Sequence, residues 1–153
     1  MKITFLQKLL ALAIYMLPWS DSIIFGRYLF QEFPLLQWMT IPALPIIIIQ
    51  KILPFGGLII FLMLFLLVIR NPNISYFLRF NSLQAILINI IIIMISYVFQ
   101  IIIQPLGNGL LIRTFSSTIL VSMMTLLIFC IYECFQGKEP DLPIISEAVK
   151  IQL

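Results

Sequence analysis

The sequence predicts an all-α integral membrane protein: four transmembrane helices, an N-terminal amphipathic helix in the membrane interface, and a short polar C-terminal tail. Three observations predict it. Of 153 residues, 62% are hydrophobic and 10% charged, where a soluble domain carries about 45–50% apolar and about 25% charged residues. The mean hydropathy is +1.15. The apolar residues gather in runs near bilayer-crossing length with no charge between their ends.

Residues 1–34 make the N-terminal segment. Its apolar run, ITFLQKLLALAIYML at 3–17, is interrupted by Gln7 and Lys8 and followed by Pro18-Trp19. A signal peptide requires a small-residue cleavage site, and Ser20-Asp21-Ser22 is a poor one. Residues 35–135 hold the bundle, with spans at about 35–50, 54–70, 82–104 and 113–133. The first contains Pro42 and Pro45 and should be kinked. It reaches the second through Gln50–Gly57, where a proline and two glycines suit a tight turn. Sixteen helical residues cover about 24 Å, less than a 30 Å hydrocarbon core, so these two spans are short. Residues 136–153 form the polar tail. Gly137 stops the last helix, Pro140 and Pro143 keep the chain extended, and Ile144–Val149 has room for one or two amphipathic turns.

Charge decides whether 3–17 is a fifth span. With four spans, Lys2, Lys8, Arg27, Arg70, Arg79, Lys138 and Lys150 share one face and Lys51 and Arg113 the other, seven against two. That is the asymmetry of the positive-inside rule. A fifth span re-sorts them four against five and the asymmetry is lost. The four-span reading puts both termini on the cytoplasm-equivalent side and residues 3–17 along that surface, where Gln7, Lys8 and Trp19 suit an interfacial helix.

The same inventory excludes several functions. Lys and Arg are spread out, so there is no nucleic-acid patch. There is no histidine, no paired aspartate or nucleophile–base set within a span, and no glycine-rich phosphate loop, so no enzyme and no cofactor is expected. Cys130 and Cys134, four apart, read as small membrane-face residues rather than a disulfide or a metal site.

The candidate functional residues lie on the third span. At 100° per residue, Ser82, Asn89, Ser96, Gln100 and Gln104 fall within an arc of about 80°. Gln84 is off this stripe, near the headgroups. Thr114, Thr118 and Thr125 mark one side of the last span. Either the two polar stripes pack together or against a partner, as small hydroxylated residues do, or the stripe lines a wettable path. The absence of ionisable groups argues against a proton relay or ion transporter. Asn81-Ser82 can cap the third helix. Arg70 and Arg79 hold its leading loop at the positive surface, and Arg27 and Tyr28 read as surface anchors or partner contacts.

Three stretches carry a resemblance: FGRYLFQEFP at 25–34, VIRNPNISYFLRFNSLQA at 68–85 and GKEPDLPIISEAVKIQ at 137–152. In this order they resemble the signature blocks of the twenty-kilodalton subunit family of the chloroplast inner-envelope protein translocon, with its plastid-encoded and cyanobacterial members. The resemblance implies a four-span subunit of the import machinery with both termini stromal. Its implied partners are other translocon subunits, precursor proteins in transit and the lipid bilayer, in the plastid inner envelope or a cyanobacterial plasma membrane. Nothing near Met1 is Arg- and Ser-rich enough for a transit peptide, and isoleucine supplies 31 residues; both point toward a plastid gene. Asn89 stands where many relatives are expected to be acidic. A small-solute channel and a purely structural assembly subunit are the competing functions.

Overall fold

The computed structural model describes residues 3–107 and 109–153; Lys2 of the charge count lies outside them. Helix is the only regular secondary structure among the described residues, with no strand. In chain order the α-helices are α1 (Phe5–Ser22), α2 (Arg27–Glu32), α3 (Leu44–Ile52), α4 (Gly56–Met63), α5 (Tyr76–Val98), α6 (Leu110–Gln136) and α7 (Ile145–Gln152). Tight 3-10 turns join α1 to α2 and lead into α3, while wide π turns extend α4 to Ile69 and α5 to Ile103.

Four helical stretches are long and apolar enough to cross a bilayer: Phe5–Glu32, Pro34–Ile52, Tyr76–Leu106 and Leu110–Gln136, with Gly56–Ile69 shorter. The count agrees with the sequence reading, but the first member differs. Of residues 3–17, those from Phe5 onward belong to the first of these and pack against α5 and α6. Lys8 Nζ donates to the Phe135 carbonyl at 2.8 Å, and at the far end Ser116 Oγ donates to the Phe25 carbonyl at 2.6 Å. Helix α1 and its continuation therefore run antiparallel to α6 for about 25 Å, the rise of seventeen helical residues. The physical reason is a packing stripe: Ala11, Tyr15 and Trp19, four residues apart, are buried against Ala85, Ile88 and Ile92 of α5 and Leu120, Met123 and Leu127 of α6. Gln7 and Lys8 sit only at the α1 entrance, where Thr4 and Gln7 form a reciprocal capping box.

The stretch Pro34–Ile52 slants across this trio. Trp19 Nε1 donates to the Met39 carbonyl at 2.9 Å, and Gln50 Nε2 donates to Asp21 at 3.3 Å. Contacts eleven residues apart on one helix meet residues two apart on α1, so the two cross steeply. The turn into α4 places its left-handed residue at Phe55 (φ 57°) rather than at a glycine. Gly56 instead permits close approach: a Cβ there would lie 2.6 Å from Gln50 Cα.

Helix α5 starts at Tyr76 behind Ser75, six residues before the expected boundary, so Asn81 and Ser82 are inside the helix and not its cap. Asn81 is fully buried. Its Oδ1 accepts from Tyr15 Oη at 2.9 Å and from Cys134 Sγ at 3.1 Å, and its amide donates to Phe77 O at 2.8 Å. Cys130 and Cys134 are accordingly core residues, 0% exposed, not membrane-face ones. The tail folds back rather than staying extended. Gln84, also fully buried, donates to the Pro140 carbonyl at 3.2 Å. Val149 of α7 joins Ile69, Phe80, Leu83 and Ile86 in a second core.

A polar cleft between the first and fifth helices

The polar stripe of α5 faces α1, not α6. Ser82 is used up locally, its hydroxyl donating to Leu78 O at 2.7 Å. Two helical turns further on lies Asn89, and beyond it, from Ile93, α5 lines a cleft. Asn89 is 7% exposed, and the Asp21 carboxylate of α1 accepts a hydrogen bond from Gln50 Nε2 of α3 at 3.3 Å. The cleft above has a volume of about 610 Å³. Ser20, Asp21 and Ile24 form its α1 wall, Gln50, Gly57 and Leu58 its hairpin wall, and Ile93, Ser96, Tyr97 and Gln100 its α5 wall. Asp21 is half-buried and has no ion pair among the described residues.

A second cleft, of about 390 Å³, shares Ile24, Ser96 and Gln100 with the first. It extends toward the α5–α6 connection, lined by Arg27, Tyr28, Gln104 and Ser116. Its rim is tied by Arg113, which pairs with Glu32 at 2.7 Å and lies over the Tyr28 ring at 5.8 Å. The structure thus gathers Ser96, Gln100, Gln104, Arg27 and Tyr28 along two adjoining polar clefts, with Asn89 buried outside their lining. Gln100 Nε2 donates to Ser96 Oγ at 3.2 Å, one turn apart on the exposed side of α5.

Other candidate residues go elsewhere. Thr114, Thr118 and Thr125 stand on the exposed face of α6, which buries Ile112, Ser116, Leu120, Met123, Leu127, Cys130 and Cys134 instead. The two polar stripes therefore do not pack together. Thr125 satisfies its hydroxyl on Val121 O, and Thr118 reaches a groove otherwise lined mainly by isoleucine. Arg70 and Arg79 are at the opposite end of the bundle. Arg79 Nε donates to Ile69 O at 2.8 Å, closing the end of the π turn, and Arg70 lies 5.7 Å from the Phe65 ring centre.

Asp21 and Gln50 are the site residues that sequence reasoning missed, because Asp21 was taken to lie outside the spans. Its signal was present: a carboxylate inside a helical stretch that stays apolar from Leu9 to Phe30 apart from Tyr15, Ser20, Ser22, Arg27 and Tyr28. Among the described residues no group of three or more His, Cys, Asp or Glu gathers as a metal site. The cleft offers hydrogen bonding and one negative charge.

The family model for the chloroplast import apparatus, Tic20-like, matches residues 2–149. A Tic20 family protein of Synechocystis sp. is 37% identical over 141 residues, covering 92% of this chain and 88% of that protein. The protein TIC 20-v, chloroplastic, of Arabidopsis thaliana is 30% identical over 148 residues, 96% of this chain and 71% of that one. The Tic20 family protein Ycf60 of Porphyra purpurea is 26% identical over 155 residues, 95% of this chain and 75% of that one.

Proposed function

The chain belongs to the Tic20 family, and from that premise we propose that it is a membrane subunit of a protein-import translocon, helping to form or scaffold the path of precursor proteins. The observation that carries this reading is the groove. Ser96, Gln100 and Gln104 turn polar side chains into an open cleft, when an isoleucine-rich helix bound only for lipid or packing has no use for them. An unfolded polypeptide brings amides that need hydrogen-bond partners at membrane depth, and these side chains supply them without chemistry.

The membrane is the plastid inner envelope or a cyanobacterial plasma membrane, with other translocon subunits as neighbours. Both termini lie on the stromal or cytoplasmic side. Lys8, Arg70, Arg79, Lys138 and Lys150 are at the end of the bundle that holds the termini, and Arg27 and Arg113 at the other, which supports that sidedness through the positive-inside rule.

Photo-crosslinking from Gln100 in membranes holding an arrested precursor tests the role. A crosslink to the precursor supports the path. A crosslink only to neighbouring subunits makes the groove a docking face and the protein a scaffold. The double change Asn89→Leu with Gln100→Leu is expected to leave membrane insertion intact and weaken import or assembly; unchanged behaviour in both sinks the functional reading of the stripe.

A further inference from the structure

We propose that the Asp21 cleft is a binding site for the primary ammonium group of a lysine side chain in an extended polypeptide, an inference that rests on the translocon reading above. The cleft carries one carboxylate and no cationic side chain among the residues that line it. The Asp21 carboxylate accepts from Gln50 Nε2 at 3.3 Å and has no ion pair among the described residues. The Asn89 Oδ1, closed off from solvent on a side chain only 7% exposed, accepts no hydrogen bond. Ser20, Ser96 and Gln100 line the walls above, and each brings a further acceptor oxygen.

A lysine ammonium carries three donors and one positive charge on a four-carbon stem. Ile24, Leu58 and Ile93 line the same cleft and match that stem. Arg113 pairs with Glu32, and neither Arg27 nor Lys51 lines this cleft. Gly57 keeps the entrance wide, since the nearest atom to a Cβ built there is Gln50 Nε2 at 3.8 Å.

The test uses the full chain in phosphatidylcholine nanodiscs, which hold no primary amine, with a benzophenone side chain in place of Tyr97. The probes are two otherwise identical extended peptides with a single central lysine or glutamine. The lysine peptide is expected to crosslink at roughly tenfold lower concentration than the glutamine peptide, the scale of one charge-assisted hydrogen bond. Asp21→Asn should abolish the difference. Gly57→Leu keeps the carboxylate but fills the entrance, and should weaken the lysine peptide selectively if the site is the cleft. Equal crosslinking of both peptides by the unaltered chain overturns the lysine site while leaving polypeptide contact standing. Crosslinking of neither overturns both readings. Displacement of the lysine peptide by phosphatidylethanolamine added to the bilayer overturns it in favour of a lipid amine.

Discussion

The Lys8 ammonium donates to the Phe135 carbonyl at 2.8 Å, joining residues 127 apart in sequence. The start of α1 is thereby fixed to the end of α6, a helix C-terminus where a cation is favoured by the orphan carbonyls and the dipole. Gly137 (φ 74°), stopping α6, leaves only 3.4 Å between a built Cβ and Lys8 Cε.

That relationship puts the start of α1 and the end of α6 at one end of the bundle. Single cysteines at Ile3 and Lys150 are expected to react with a membrane-impermeant maleimide from one side, and a cysteine at Arg113 from the other. The native Cys130 and Cys134, both 0% exposed, should stay silent. Labelling of positions 3 and 150 from opposite sides would contradict the arrangement.

The paired glycines of the hairpin should behave in opposite ways. A Cβ on Gly56 would lie 2.8 Å from the Ile49 carbonyl oxygen and closer still to Gln50 Cα, and backbone cannot step aside. Gly56→Ala is expected to cost about 1–3 kcal/mol. Gly57 has no neighbour that close and sits in a helix, so Gly57→Ala should gain about 0.4–1 kcal/mol. Denaturation of the purified variants in one detergent checks the signs; two changes of the same sign would reject the account.

Tyr15→Phe removes one donor from Asn81 but leaves the Cys134 thiol and the Asn81–Phe77 bond in place. Its expected cost is about 0.6–2 kcal/mol, the range of interhelical hydrogen bonds in membranes. Asn81→Leu strands the Tyr15 hydroxyl in the core, and an unmet buried group costs about 1–3 kcal/mol. The asparagine variant should therefore be the less stable in a thermal unfolding series, and the reverse order would show that the network is not what joins α1 to α5.

For the tail, burial outweighs charge. Val149 is 0% exposed, and Val149→Ala should loosen α7 by a large part of the roughly 1.5–3 kcal/mol that burying a valine contributes. The Lys150–Asp141 pair, at 3.5 Å with side chains 53% and 80% exposed, is screened, so Lys150→Ala should change little. Hydrogen exchange across residues 145–152 distinguishes the two. Equal acceleration in both variants would mean that the ion pair matters as much as the apolar seat.

The class of the fold was legible because it depends on quantities that add along the chain: apolar fraction, run length and the distribution of Lys and Arg. The position of α1 was not. Gln7 and Lys8 look like the polar face of a surface helix, and only the contact with Phe135 reveals them as an entrance tied to another helix end. The hairpin was placed correctly at 50–57, yet the left-handed residue fell on Phe55, since the glycine at 56 was needed for contact between backbones. For the site, the stripe on α5 could be read from its angular spacing, whereas its partner could not. Periodicity reports which residues share a face and not which helix that face meets. The threonines of α6 were matched to it by composition, and burial places them outside. Asp21 needed the third dimension, since Gln50 reaches it from 29 residues away in sequence.

The wide turns at Leu64–Ile69 and Phe99–Ile103 have a bearing on heredity. A π turn holds one residue more than the α-helix it interrupts and keeps the same axis. Loss of one codon from 99–103 should tighten that turn to α, leave Asn89 and Ser96 in place, and pass the remaining offset to Gly107, whose φ of 89° already marks a loop. The same loss at Ile88, in the middle of a regular helix, would rotate every later side chain by about 100° and take Ser96 and Gln100 away from the groove. Changes in gene length should accordingly survive at the wide turns and be purged between Tyr76 and Val98.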